Sequence, residues 1–256
     1  MDYYGLMRIA PRFTLLALLL ATLGAKAQVP GVPAAASPVQ SSALDGPLFY
    51  QLLLGELNAN GDEPGAAFSL MLDAARKTGD ARLYQRSVEI ALKARSGDSA
   101  LQAARAWRQA LPNSREANRY TLQILIGMNR LAETVEPLKR EIANTEAKDR
   151  PLAVTAVPRY FARVSDKKGA AQAVEQALAE YLSTAAVGVA AWTTIGRLRM
   201  EAGDGSAALD AARKGQALDA KAEGPALLAL ALMRAKQPAA EALVKKYLDG
   251  KPQPEV

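Results

Sequence analysis

The side chains of this chain that could do chemistry are carboxylates and hydroxyls, because its 256 residues include no histidine and no cysteine. Asp62 and Asp98 could form a general acid–base pair, but each follows a glycine just ahead of a predicted helix, where an N-cap role explains it. The serines form no Gly-x-Ser-x-Gly elbow, and a histidine-dependent triad is impossible. The segment 203–206 lacks the lysine of a phosphate-binding loop. The sequence therefore predicts a protein that is not an enzyme and has no cofactor and no metal site.

The beginning of the chain has the pattern of a signal peptide. Arg8 and Arg12 precede an apolar run of 12 residues at 13–24, and Ala25-Lys26-Ala27 follows this run. A bilayer-spanning helix needs about 20 apolar residues, so a retained membrane anchor is the less favoured alternative. We predict a signal peptide over 1–27. No cysteine follows it for lipid attachment, so the product is expected to be periplasmic or secreted and soluble.

The remaining chain divides into a linker and a helical region. Residues 28–46 are rich in proline, alanine and serine and are predicted to form a flexible linker. Between 47 and 256, alanine and leucine dominate, and Gly, Asp, Asn or Pro interrupt apolar stretches of helical period. This pattern predicts an all-α fold for 47–256. Whether translation starts at Met1 or Met7 stays open.

The charge of the chain is mildly basic. The formal net charge is +6, and removal of residues 1–27 would lower it to +4, since three basic residues and one acid would be lost. Residues 139–168 hold eight basic residues against four acids. No aromatic platform for stacking bases is interleaved with them, so nucleic acid is not an expected partner. A solvated surface, an acidic protein partner and anionic envelope material remain the alternatives for this stretch.

An internal repeat is the strongest pattern in the sequence. The pairs Gly61-Asp62 and Gly97-Asp98 are 36 residues apart. Small residues recur where the second helix of each hairpin would begin, with a mean step of 34.6 residues between the first and the last of them. They are Ala67, Ala103, Thr134, Ala170, Ala208 and Ala240. This spacing predicts about six stacked helical hairpins, with an irregular all-α domain as the alternative.

The same residues resemble the tetratricopeptide repeat (TPR) family. The run 192–196 (WTTIG), with Gly203 and Ala208 after it, has the large residue, the aliphatic–glycine pair, the turn and the small contact residue of that family. Asn129 fits a left-handed turn in the third copy, and Pro158 is expected to shorten or kink the first helix of the fourth. The resemblance implies a TPR-like α-solenoid that binds proteins.

A narrower resemblance concerns residues 52–98, 103–107, 110–114 and 227–252. These segments are similar to repeats of proteobacterial envelope TPR lipoproteins that serve a periplasmic carboxy-terminal processing protease as adaptors. The resemblance implies an adaptor that presents peptidoglycan hydrolases to the protease. A general TPR scaffold for envelope assembly, secretion or polysaccharide export is the alternative. The segment 251–256 stands where such proteins would continue, so the array is expected to be incomplete, capped by 239–248, or in contact with another subunit, including a second copy.

Partner binding in TPR proteins uses the concave face, which the first helix of each hairpin lines. With Gly55 and Gly196 at equivalent positions, we expect seven side chains on this face. They are Leu52, Glu56, Arg119, Gln123, Arg197, Met200 and Glu201. The alternative for each is an ordinary solvated helix residue. Trp107 and Trp192 lie at large-residue positions and are expected to be buried.

Overall fold

The computed structural model describes residues 44–249. The predicted signal peptide, all but the end of the predicted linker and residues 250–256 lie outside this range. The described residues form twelve α-helices, joined in places by short 3-10 turns, and no strand. The helices are α1 Gly46–Asn60, α2 Pro64–Thr78, α3 Ala81–Lys93, α4 Gly97–Ala110, α5 Arg115–Gly127, α6 Val135–Ala143, α7 Arg150–Ala156, α8 Lys167–Leu178, α9 Ala185–Glu201, α10 Gly205–Leu218, α11 Glu223–Arg234 and α12 Glu241–Leu248.

These helices follow one another as six hairpins, from α1–α2 to α11–α12; in the fourth, α7 and α8 hardly touch each other, and both pack against α9. Each hairpin contacts the next one along the chain, and the buried apolar residues form four successive clusters along residues 44–249 instead of one central core. A pair of short helices cannot bury both of its apolar faces alone, so stacking is what stabilises each hairpin. The expected all-α, TPR-like solenoid of about six repeats is confirmed.

Four of the six hairpins turn in the same way. In each of them, a residue with positive φ lies two positions after the last residue of the first helix. These residues are Arg95 (56°), Asn129 (57°), Gly203 (79°) and Lys236 (64°). The N–H of the residue that follows each one donates to the carbonyl oxygen five positions earlier, at 2.9–3.0 Å, as in a Schellman motif. The left-handed turn expected at Asn129 is thus confirmed. These four turn residues define the repeat register used below.

The small residues that revealed the repeat lie where helices cross. All six are 0 % exposed. The turn register shows two displacements. Ala100, and not Ala103, lies five residues after the positive-φ residue Arg95, as Thr134 does after Asn129 and Ala208 after Gly203, and Ala240 lies only four residues after Lys236. Ala100 is also fully buried. The second repeat was therefore read one helical turn too late, and the true steps around it are 33 and 34 residues.

The N-cap roles expected for Asp62 and Asp98 were wrong. Asp62 is exposed in the turn before α2, whose N-cap is Glu63, and Asp98 lies inside the first turn of α4, after the N-cap Ser96. Asp98 instead forms an ion pair with Arg130 at 3.5 Å. Carboxylates do cap other helices: those of Asp45, Asp80, Asp166 and Asp204 each accept a backbone N–H. A Gly-Asp pair alone did not fix the position of the cap.

The first helix of the fourth hairpin is short, as its proline predicted. The α-helix α7 ends at Ala156 after seven residues, and Val157–Arg159 continues it as a 3-10 turn that contains Pro158. Proline lacks the N–H that an α-helical hydrogen bond would need. Val154 and Val157 are nevertheless buried, so this shortened helix still contributes to the longest apolar cluster.

The two tryptophans differ in burial. Trp107 in α4 is 0 % exposed, which confirms the expectation. Trp192 in α9 is only partly buried. Its indole Nε1 donates to the Leu182 carbonyl oxygen at 3.0 Å, and the Lys214 ammonium lies 4.6 Å from its ring centroid. A ring that binds a carbonyl at its edge and a cation on its face stays close to solvent.

Candidate functional site

The first helices of the hairpins share one exposed register position, which defines the first-helix face. The residue six positions before the positive-φ turn residue is Glu89, Gln123, Arg197 or Leu230 in α3, α5, α9 and α11, and each is at least partly exposed. The residue directly before it is buried in every case: Val88, Leu122, Gly196 and Ala229. The buried position thus holds an apolar or small residue in all four helices. The exposed position, which we call the displayed position, holds in turn an acid, an amide, a base and a leucine.

Four of the seven residues expected to contact a partner are exposed on the first-helix face. Gln123 and Arg197 occupy the displayed position itself. Arg119 lies one helical turn before Gln123, and Glu201 lies one turn after Arg197. Glu201 also approaches Lys167, with 3.9 Å between its Oε2 and Nζ. Their binding role stays a prediction, but their side chains are available.

Leu52 and Met200 are half-buried and contact apolar clusters. Leu52 packs against the cluster that contains Ala59 and Met71. Met200 packs against the cluster that contains Leu228. Their partial burial follows from helix geometry. Residues three or four apart share a helix face, and each of these two side chains lies beside a crossing between helices. Most of the contact area of these two side chains is therefore internal.

Glu56 is engaged in an ion pair that joins α1 to α3. Its two carboxylate oxygens accept the Nε–H and the Nη2–H groups of Arg86, both at 2.7 Å. The hydrogen bond from Arg86 lowers the pKa of Glu56, and the bond from Glu56 raises the pKa of Arg86. Such a two-bond geometry fixes the guanidinium orientation better than a single contact does. It therefore sets the relative position of two first helices.

A polar chain continues from this pair towards α5. Arg86 Nη1 lies 3.6 Å from Glu89 Oε2, and Gln85 Nε2 donates to Glu89 Oε1 at 2.9 Å. Gln85 Nε2 also lies 3.4 Å from the Tyr120 hydroxyl, which is on α5. Sequence reasoning missed Gln85, Arg86 and Glu89. Their i, i+3 and i, i+4 spacings indicate pairs within one helix, but no local spacing indicates their partners on neighbouring helices.

An apolar pocket adjoins Gln123 on the same helices. It has a volume of about 330 Å³ and lies between the C-terminal parts of α3 and α5. Leu92, Tyr120, Ile124 and Met128 contribute to its walls, and Leu92 is 44 % exposed. A pocket of this kind suits an apolar side chain of a bound peptide, with Gln123 available to hydrogen-bond the peptide backbone.

Catalytic groupings are not apparent among residues 44–249. No cluster of three or more carboxylates in that range could hold a metal ion. Ser165 and Lys168 have a Ser-x-x-Lys spacing, but Ser165 precedes the N-cap Asp166 and both side chains are exposed to water. No helix between residues 44 and 249 is long and apolar enough to cross a membrane.

Two basic side chains of the stretch 139–168 hold neighbouring loops of the fold. Arg150 donates to the carbonyl oxygens of Thr145 and Ala143, and Lys167 donates to that of Ala162 at 2.8 Å. Lysines and arginines that hold loops in this way have fewer donors left for a ligand. Arg159, Arg163 and Lys168 are exposed and remain available to a ligand.

We expect the Glu56–Arg86 pair to give stability a measurable pH dependence. Glu56→Gln should cost less than about 1 kcal/mol at neutral pH, because the pair is partly exposed to solvent. The folded-state pKa of Glu56 lies below its ordinary value of 4.5, so the contribution is present above that value and is lost as pH falls through the folded-state pKa. Urea unfolding of both proteins across this pH range should converge at acidic pH.

Arg86→Gln and the double variant complete a cycle for this pair. If the ion pair causes the pH dependence of stability, the coupling energy between the two substitutions should vanish at the acidic pH where the stabilities of the wild type and Glu56→Gln converge. A difference that stays constant from neutral to acidic pH would contradict the assignment.

No protein-family model matches the chain, and no curated protein sequence matches it. Among solved structures, it is similar to PilW, a type IV pilus biogenesis factor, at 19% identity over 83% of this chain and 97% of that one, with a TM-score of 0.34. MamA matches at 16% identity over 69% and 97%, with a TM-score of 0.35. YrrB, a TPR protein with an unusual peptide-binding site, matches at 11% identity over 73% and 90%, with a TM-score of 0.35. TM-scores this low do not establish a fold. The all-α, TPR-like fold follows instead from the six stacked hairpins of residues 44–249.

Proposed function

We propose that this chain is a non-catalytic protein–protein interaction scaffold that binds a partner along its first-helix face. The observation that supports it is the alternation between the buried and the displayed register positions of α3, α5, α9 and α11. Packing requires the buried position to be small or apolar, but it places no such demand on the exposed neighbour. Side chains as different as Glu89, Gln123, Arg197 and Leu230 at one equivalent position suit recognition of an irregular partner surface.

The more specific proposal is an adaptor in the cell envelope that presents peptidoglycan hydrolases to a periplasmic processing protease. It draws on the resemblance of residues 52–98 and 227–252 to the repeats of such adaptors, and on the predicted signal peptide 1–27. The exposed apolar side chains Leu53 and Leu57 of α1 add contact area within the first of these segments, and those of Phe49 and Tyr50 add more just before it.

The alternative is a general scaffold for envelope assembly, secretion or polysaccharide export. The same first-helix face would serve it, since the displayed side chains specify a binding mode and not a partner. The two proposals differ in what the face holds in the cell.

Site-specific crosslinking in living cells tests both proposals. A photoreactive residue at Gln123 should capture a partner, whereas the same residue at Gln172, an exposed glutamine of the second helix α8, should not. Recovery of a processing protease or a cell-wall hydrolase by mass spectrometry would support the adaptor. Recovery of assembly or export components without a protease would support the alternative. Equal, nonspecific capture at Gln123 and Gln172 would contradict binding along this face.

A further inference from the structure

A groove runs along the second helices of the first three hairpins. It consists of two adjoining pockets of about 330 and 600 Å³, one between α2 and α4 and one between α4 and α6, and both are lined by Arg105 and Gln109. We call it the second-helix groove. Thr121 and Leu125 of α5 also line the larger pocket, but both are buried, and none of the exposed side chains of the first-helix face lines the groove. The groove is therefore a separate surface of the same repeats.

The second-helix groove carries an excess of positive charge. Five arginines line it: Arg76, Arg105, Arg108, Arg130 and Arg140. The carboxylates among its lining residues are Asp98, Glu133 and Glu136. The groove therefore has a formal charge of +2, from five positive and three negative side chains. This is half of the net charge of +4 that is expected for residues 28–256.

The carboxylates of the groove are shared by only two of its arginines. Arg130 Nε pairs with Glu133 Oε1 at 2.6 Å, and Arg130 Nη1 lies 3.5 Å from Asp98 Oδ1. Arg105 pairs with the other oxygen of Glu133. Glu136 pairs with Lys139, which is outside the groove, at 3.7 Å. Within residues 44–249, these contacts leave the remaining three arginines outside any ion pair, although Arg76 is near enough to Asp73 to interact with its charge.

Arg76, Arg108 and Arg140 take part in none of the ion pairs within residues 44–249. Arg140 donates only to the carbonyl oxygen of Pro112, at 3.3 Å. Arg108 is half-buried, and burial lowers the pKa of its guanidinium. The positive charges of Arg140 and Arg105 lower it further, while Glu136 opposes them. A partly desolvated cation beside two like charges is unfavourable until an anion compensates it.

We propose that the second-helix groove binds an extended acidic peptide segment of a partner protein, with its carboxylates at Arg108 and Arg140 and, further along, at Arg76. Guanidinium groups match carboxylates in geometry and charge. The unpaired arginines occupy both pockets, so the positive charge is spread along a line and not gathered around one point. Glu133 and Glu136 also line the larger pocket, and their negative charge disfavours a compact, doubly charged anion such as phosphate. Gln109, shared by both pockets, can hydrogen-bond the peptide backbone.

This proposal is independent of binding at the first-helix face, and its test keeps the two surfaces apart. The full chain is titrated into a fluorescein-labelled oligoglutamate peptide, and binding is followed by anisotropy. The groove variant is Arg108→Gln with Arg140→Gln. The matched control is Arg163→Gln with Arg213→Gln, which removes the same charge from exposed positions that belong neither to the groove nor to the first-helix face.

The wild-type chain should bind the peptide with an affinity that falls as salt rises. The groove variant should bind at least about tenfold more weakly, whereas the control should retain the wild-type affinity. Equal weakening in both variants would overturn the proposal, since it would indicate a general charge effect. Displacement of the peptide by inorganic phosphate, but not by chloride at the same ionic strength, would also overturn it in favour of a small-anion site.

A stability measurement separates a binding role of Arg108 from a structural one. Because Arg108 forms no ion pair within residues 44–249 and is repelled by its neighbours, Arg108→Gln should leave the melting temperature unchanged or raise it. Weaker peptide binding by a variant of unchanged stability supports the proposal. A marked fall in melting temperature for Arg108→Gln would show that this arginine supports the fold instead, and would overturn it.

Discussion

Replacing Gly196 with alanine should lower the free energy of unfolding by about 1–3 kcal/mol. Gly196 lies where α9 crosses α10 and α11. A Cβ atom there would lie 2.3 Å from Leu228 Cδ2 and 3.3 Å from both the Ala208 carbonyl oxygen and the Ala211 Cβ. Leu228 is 1 % exposed, so it has no open space to move into. The added methyl group must therefore separate helices that now touch.

Gly127→Ala is the matched control for this substitution. Gly127 is also helical, near the end of α5, but a Cβ atom there would meet nothing within 4 Å. The same change should then stabilise the protein by up to about 1 kcal/mol, because alanine loses less backbone entropy than glycine in a helix. Urea unfolding of the two variants should give effects of opposite sign. A loss of similar size in both would mean that the close approach at Gly196 is not the cause.

Hydrogen exchange should show where the effect of Gly196→Ala is confined. Repeats interact mainly with their neighbours, so protection should fall most in α9, α10 and α11 and least in α1 to α4. A uniform loss of protection across residues 44–249 would indicate that the six hairpins unfold as one unit.

The stacked-hairpin fold could be predicted because its requirements are local and repeated. A small residue at each helix crossing and a turn residue between helices recur at nearly constant steps, and Asn129 and Gly203 are types that favour a left-handed turn. Arg95 and Lys236 adopt the same left-handed conformation. Neither residue type favours it, so the turn of the second repeat was placed at Gly97 and its register was misread by one helical turn. The surrounding hairpin imposes that conformation on arginine and lysine.

The candidate sites were less predictable, because they depend on which neighbouring helix a side chain meets. The exposure of Gln123 and Arg197 follows from helical period and was expected. The pairing of Glu56 with Arg86, 30 residues away, depends on how α1 lies against α3. The second-helix groove likewise combines side chains from separate repeats, and only Arg140 belongs to the basic stretch 139–168 that the sequence singled out. Charge density along the chain is a poor guide to charge density on a stacked surface.

Replacing Trp107 with alanine should be more damaging than any single change on either binding surface, at about 3–5 kcal/mol. Its ring is 0 % exposed and belongs to the cluster formed by α2 to α5, with the Tyr120 ring centroid 5.7 Å away. Removing it leaves a cavity that short, closely packed helices cannot easily fill. Denaturant unfolding, followed by circular dichroism, measures the loss.

Two further variants show whether burial is what makes Trp107 important. Trp107→Phe should cost much less than Trp107→Ala, because the ring is largely kept and the indole Nε1, which has no hydrogen-bond partner within residues 44–249, is removed. Trp192→Ala should also cost less, since that ring is partly exposed and its contacts are the Leu182 carbonyl and Lys214. Equal losses for Trp107→Ala and Trp192→Ala would contradict this reasoning. Tyr120, which packs on Trp107, lines the pocket beside Gln123. Weaker partner binding by Trp107→Phe at unchanged helix content would therefore show that the core of the second and third repeats positions the first-helix face.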